Sequence, residues 1–162
     1  MKSFATLLGI AALTSTLATS LPAQDAGTAT TAPAYDAELA SKLGGDDYGM
    51  KKYVLVLLRT GPKDGEFKDQ ARADIFAGHM SNIGRLADEG KLAVAGPFRK
   101  NDQGMRGLFI LNVETVEAAQ ALVDTDPAVH AGILVAELTP WYGSASLMAT
   151  PEIHKKIAKA DP

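Results

Sequence analysis

The stretch Phe76–Pro97, FAGHMSNIGRLADEGKLAVAGP, constrains the fold more than any other part of the chain. It reads as the second half of a helix, a glycine stop, and a strand that ends at a Gly-Pro corner. The helix pattern begins upstream at Lys68. From there to Glu89, Ile75, Phe76, Met80, Ile83, Leu86 and Ala87 recur at three- and four-residue spacings and form one apolar stripe. Gly90 follows directly, as suits a residue that must turn left-handed after a helix. Lys91–Gly96 is then a short strand, and Gly96-Pro97 turns the chain.

The flanking segments supply the rest of a pattern. Lys52–Arg59, KYVLVLLR, is a dense apolar run bounded by charge and by Thr60-Gly61-Pro62, which predicts a strand. Phe98–Met105 is a polar, glycine-containing hairpin loop, and Arg106–Val113 is a third strand. Thr115–Val123 reads as a second helix, with Thr115 as its N-cap and Glu117 at the positive end of its dipole. The run Asp124-Thr125-Asp126-Pro127 ends that helix, because the residue before a proline is pushed out of the helical region. Pro127 opens a short new turn, Ile133–Thr139 is a fourth strand, and Pro140-Trp141-Tyr142 closes the unit.

The order β-α-β-β-α-β predicts an α+β, ferredoxin-like fold: an antiparallel sheet with both helices on one face. No remaining segment is long enough to form a second layer, and Gly143–Pro162 offers only one helix, from about Pro151. A homodimer in which two sheets pack face to face is therefore expected.

At 162 residues the chain has room for one such domain, predicted over 50–142. Residues 1–24 have the layout of a secretory signal peptide: Lys2, an apolar run from Phe4 to Leu17, then small residues around Leu21-Pro22-Ala23. That run is too short to span a bilayer, which needs roughly 20 residues. An exported protein, periplasmic or secreted, with no membrane attachment after cleavage is the expectation. Residues 25–49 read as a flexible spacer, in which Tyr35–Leu43 can form a short helix stopped by Gly44-Gly45. Residues 143–162 are a C-terminal tail.

Without Lys2 the mature chain carries 15 basic and 19 acidic side chains, a formal charge of −4. That mild acidity argues against a nucleic-acid surface. The chain has no cysteine, so neither a disulfide nor a thiol nucleophile is available. Gly143-Ser144-Ala145-Ser146 is not a nucleophile elbow, and the glycines form no nucleotide loop. His79, His130 and His154 fall in separate elements without metal-ligand spacing, so neither a metal nor another cofactor is predicted.

One side chain stands out from the periodicity. His79 lies four residues after Ile75 and four before Ile83, on the same apolar face. An imidazole there is either a satisfied core group or a poised acid/base, since histidine is the side chain that titrates near neutrality. Gly96 and Pro97 either border a substrate pocket, where glycine permits close approach, or only terminate a strand.

From Gly78 onward the runs GHMSNIGRLADEGKLAVAGPF and ETVEAAQALVDTDPAVHAGILVAELTPW resemble the YciI-like (YCII-related) proteins of bacteria. The shared features are His79, Gly90-Lys91-Leu92, Ala95-Gly96-Pro97, Asp126-Pro127 and Pro140-Trp141, in that order, over roughly Lys51 to Trp141. The resemblance implies a dimeric α+β barrel built from ferredoxin-like protomers, and an active-site pair made of His79 and Asp126. A related member is linked to dehydrochlorination of an aromatic diol, and broader barrel relatives act on aromatic or lactone substrates. The signal peptide, spacer and tail depart from the commoner cytosolic members. Two functions are thus in view. One is a small enzyme doing lyase- or isomerase-type acid/base chemistry on a small aromatic or lactone-like molecule. The other is a non-catalytic dimeric ligand-binding or interaction module, in which Asp126 merely caps the turn at Pro127.

Overall fold

A computed structural model describes residues 34–160, so the predicted signal peptide and the first part of the predicted spacer, through residue 33, lie outside the described residues. Ten elements follow in order. They are α1 (Ala37–Leu43), β1 (Met50–Thr60), α2 (Asp69–Asp88), β2 (Leu92–Pro97), β3 (Met105–Leu111), α3 (Val116–Val123), α4 (Pro127–His130), β4 (Leu134–Ser144), a 3₁₀ turn (Ala145–Ala149) and α5 (Thr150–Ile157). The β1-α2-β2-β3-α3-β4 core is the predicted ferredoxin-like α+β arrangement. Its sheet has the order β2-β3-β1-β4 with every neighbouring pair antiparallel.

Strand alternation decides which side chains meet the helices. Val54, Val56 and Leu58 of β1 point to one face, opposite Leu111, Phe109 and Gly107 of β3. Val54, Val56, Leu58, Phe109 and Leu111, with Leu86 of α2, Ala119 and Val123 of α3, Ala128 of α4, and Leu92, Ile133 and Leu134, form the main core. The glycine stop after α2 behaves as predicted: Gly90 sits at φ +67°. Thr115 also caps α3 as predicted, its side chain accepting from the Ala118 amide at 3.2 Å.

Three expectations change. First, β4 does not stop at Pro140 but runs on to Ser144, with Pro140 paired to Val54 and Ser144 to Met50. A proline is tolerated because β4 is an edge strand, where the missing amide faces away from the ladder.

Second, the second sheet face is not wholly bare within this chain. Leu147 and Met148 of the 3₁₀ turn pack on Tyr53, Ala93 and Ile110. Extending β4 carries the tail back over the sheet, which a shorter strand would not have done.

Third, the part of the predicted spacer nearest the domain, residues 36–49, is not a flexible linker. Asp36 caps α1 through the Leu39 amide at 2.9 Å, and Gly44 ends it at φ +72°. Asp46 then accepts from the Tyr48 and Met50 amides at 2.9 and 3.0 Å and from the Tyr142 hydroxyl, which ties the loop to β4. The Asp and Gly that made the segment look loose are its cap, turn and tether.

Candidate functional site

Two local rules aim Asp126. The following proline forces it out of the helix, and it adopts φ −80°, ψ 120° between α3 and α4. Its Oδ1 accepts from the Ala128 amide at 2.8 Å, so the carboxylate is held as the N-cap of α4. That leaves Oδ2 pointing away from the cap. The second half of α2 brings His79 to it, and Nδ1 of the imidazole stands 2.6 Å from Oδ2. The capping role and the pairing role are both real, one per oxygen.

The carboxylate can only accept, so Nδ1 carries the proton and Nε2 of a neutral ring holds the lone pair. Asp126 is 1% exposed and His79 8%. A carboxylate buried that far costs several kcal/mol unless it is paired and hydrogen-bonded, and here both oxygens have a donor. The imidazole is also fixed sideways. It lies stacked on Phe109 of β3 (6.0 Å between ring centres, 27° between planes) and meets the edge of Phe76 (5.9 Å, 77°). No hydrogen bond engages Nε2 among the described residues.

Residues that the periodicity did not single out complete the setting. Gly78, beside His79, faces the proline ring: a Cβ there would stand 3.0 Å from Cγ of Pro127. A glycine inside a helical pattern was the available signal. Asn82, three residues beyond His79, is buried on the same side of α2. Its Oδ1 accepts from Arg85 Nη2 at 2.7 Å and from Thr125 Oγ1 at 3.1 Å, while its Nδ2 is enclosed without a partner among the described residues. Arg85 also donates to Thr125 Oγ1 at 3.0 Å, so α2 is clasped to the residue just before Asp126.

Toward the start of α2, Arg72 donates to the Asp64 backbone carbonyl at 2.8 Å and to its carboxylate at 2.7 Å. Its guanidinium lies 5.0 Å over the Phe76 ring.

The structure thus joins His79 to Asp126 but treats Gly96 and Pro97 differently. They lie at the exposed end of β2, paired with Leu108 and Gly107. A Cβ on Gly96 would meet nothing within 4 Å, so no close approach requires a glycine there. Trp141 packs against Tyr53 with 5.8 Å between ring centres, and both line a shallow hollow with Lys52, Glu114, Pro140 and Tyr142. A second hollow, at the β2–β3 turn, is lined by Thr60, Phe98, Arg99, Lys100, Asn101, Gly104, Met105 and Arg106. His79 lines neither. Asp124 is a solvated helix end, accepting only from Gln120 at 2.7 Å among the described residues. No three His, Asp or Glu side chains gather as a metal set among the described residues.

Comparison with known proteins adds three findings. The YCII-related domain model matches residues 53–142. Protein YciI of Escherichia coli O6:H1 and Protein YciI of Shigella flexneri are each 38% identical over 71 residues, which is 40% of this chain and 72% of theirs. Among solved structures, 5-chloro-2-hydroxyhydroquinone dehydrochlorinase from Burkholderia phenoliruptrix AC1100, in complex with 2,5-dihydroxybenzoquinone, aligns with a TM-score of 0.37 and 23% identity. The alignment covers 54% of this chain and 92% of that one.

Proposed function

This chain belongs to the YCII-related domain family, and from that premise we propose that it is a small enzyme that moves a proton on a small organic substrate, with His79 as the general acid/base and Asp126 as its orienting partner. The carrying observation is the 2.6 Å contact between Nδ1 and a buried carboxylate, which leaves Nε2 without a protein partner among the described residues.

The chemistry follows from the geometry. Nε2 accepts a proton from a substrate C–H or O–H group, and the imidazolium so formed is stabilised by the Asp126 carboxylate at Nδ1. The same Nε2–H then returns the proton to a different atom of the substrate or to its leaving group. This is lyase- or isomerase-type chemistry, for which a positioned acid/base contributes about 10²–10⁴-fold. Phe76, half-buried at the edge of the imidazole, suits a flat aromatic or lactone-like ring.

The assembly is part of the same proposal. Leu55, Leu57 and Leu108 lie on the sheet face away from the helices and remain half-buried, with Val135 and Trp141 exposed beside them. A second copy packed on that face would cover them and complete a dimeric barrel. Export is proposed from the pattern of residues 1–24, whose structure is outside the described region.

A non-catalytic binding module is the second reading, and one observation favours it: neither of the two hollows described above reaches His79. The readings separate when small aromatic and lactone compounds are screened for a thermal shift and for turnover, with wild type and a His79 variant side by side. Turnover that needs His79 supports the enzyme; binding without turnover supports the module.

A further inference from the structure

We infer that the substrate of the His79 site is a small organic anion, a single ring bearing a carboxylate or an equivalent negative group, held by Arg106 and Arg72. This rests on the acid/base reading of His79 and adds a substrate class to it.

The register of the sheet is the starting point. Along β1 and β3 the pairing runs regularly to Leu58 opposite Gly107, then shifts so that Arg59 faces Met105. Arg106 is the extra residue of that bulge. A bulge re-aims the side chain it carries, and bulges are found disproportionately beside functional sites. Here it sends the Arg106 guanidinium to Asp64, Nη1 standing 3.6 Å from Oδ1.

Asp64 already serves Arg72 at 2.7 Å. Two guanidinium groups therefore share one carboxylate, which leaves a net positive charge at this point. Neither is consumed by the sharing. Arg72 spends two donors on Asp64, and the Arg106 contact is an ion pair longer than a hydrogen bond, so most of their five donors each remain available. Both side chains are accessible, 29% and 37% exposed. Arg106 also lines the hollow of about 330 Å³ at the β2–β3 turn, where Arg99 and Lys100 join it and no acidic residue is present.

A row of side-chain contacts links this positive point to the imidazole. Arg106 meets Asp64, Asp64 meets Arg72, the Arg72 guanidinium lies over Phe76, and Phe76 meets His79. Arg72, Phe76 and His79 are four and three residues apart, on one face of α2. Seven residues of helix span about 10 Å. One six-membered ring with a carboxylate at one end and a reacting C–H or O–H at the other fills that span once a hydrogen bond at each end is counted. A planar, forked guanidinium is suited to hold the carboxylate in two places, which fixes the direction in which the ring lies toward Nε2.

The test is a ligand titration of the full-length protein followed by NMR of the histidine Cε1–H groups, with His154 as an internal control on α5. Benzoate, 4-hydroxybenzoate and 2-furoate are each compared with the corresponding neutral carboxamide. The expected result is that the carboxylates shift the His79 signal and bind at least about tenfold more tightly than their amides, the discrimination of one charge-assisted contact. Arg106→Gln should remove most of that preference, whereas Arg106→Lys should retain part of it. Carboxylates that bind no better than amides, or a preference that survives both Arg106→Gln and Arg72→Gln, would overturn the inference. The two levels fail separately. Arginine-dependent carboxylate binding with turnover that survives loss of His79 removes only the acid/base reading. Turnover that needs His79 without any preference for anions removes only this inference.

Discussion

Gly78 and Pro127 touch: a Cβ on the glycine would lie 3.0 Å from Cγ of the proline. Each is the chain neighbour of a member of the His79–Asp126 pair, so α2 and α4 approach most closely right beside the pair. A side chain at position 78 would press on the proline ring beside the 2.6 Å pair.

Gly78→Val tests that contact. Helix propensity alone favours the change by less than about 1 kcal/mol, but forcing a branched side chain against the proline ring should cost about 1–3 kcal/mol. Urea denaturation should show a net loss of stability, and the NMR signal of His79 should move. A variant as stable as wild type would mean that the helices give way freely.

Substitutions at Asp126 should separate its two oxygens. Asp126→Ala removes the cap of α4, worth about 1 kcal/mol, and leaves the imidazole N–H without its acceptor, about 1–3 kcal/mol more. Asp126→Asn keeps an oxygen for the Ala128 amide and approximates the shape, so its loss should be nearer about 1–2 kcal/mol. Both should lose activity, because neither offers a carboxylate to the imidazolium. Equal destabilisation in chemical melts would contradict the division of labour between Oδ1 and Oδ2.

The sheet topology was legible because its signals are local. An apolar period, a glycine after it and a proline after an aspartate each act within a few residues, and α2, Gly90 and the break at Asp126 came out where those signals lie. What could not be read depends on parts of the chain meeting in space. The closeness of Gly78 to Pro127, and the sharing of Asp64 by Arg72 and Arg106, have no mark in the periodicity. Pro140 was read as a strand end because the edge position that tolerates it is a property of the sheet. The tail looked too short to matter until β4 carried it far enough for Leu147 and Met148 to reach Tyr53. For the site, His79 broke an otherwise apolar stripe and was visible on its own. Its partner rested on the family resemblance, since Asp126 alone reads equally well as a cap.

The tether between Asp46 and Tyr142 has a pH signature. The tyrosine hydroxyl, first, and then the Met50 amide hold the Asp46 carboxyl below its usual range, while the same hydrogen bond raises Tyr142 above the usual tyrosine value. The lowered Asp46 contributes stability that is present above the ordinary carboxylate pKa, near 3.9, and is lost as pH falls through its folded value. The raised Tyr142 contributes stability that is fully present below the ordinary tyrosine pKa, near 10, and is lost as pH rises through its folded value. Thermal melts of Tyr142→Phe should therefore differ from wild type most on the plateau between those limits and converge with it at both extremes. A pH-independent difference would show that the hydroxyl acts by packing alone.

Assembly is testable by mass. Sedimentation of wild type should give twice the chain mass, and Leu57→Lys, which places a charge on the sheet face away from the helices, should give a folded single chain. A wild-type monomer would contradict the proposed face-to-face pairing.

The most direct measurement is turnover by a His79→Asn variant. An alanine at this position would strand a carboxylate that is 1% exposed and could cost about 3–5 kcal/mol. The asparagine amide can instead donate to Asp126 in place of Nδ1, and it carries no base in place of Nε2. On any compound the wild type converts, His79→Asn should lose about 10²–10⁴-fold in kcat/KM while its melting curve stays close to wild type. Undiminished turnover by that folded variant would contradict a catalytic role for the pair.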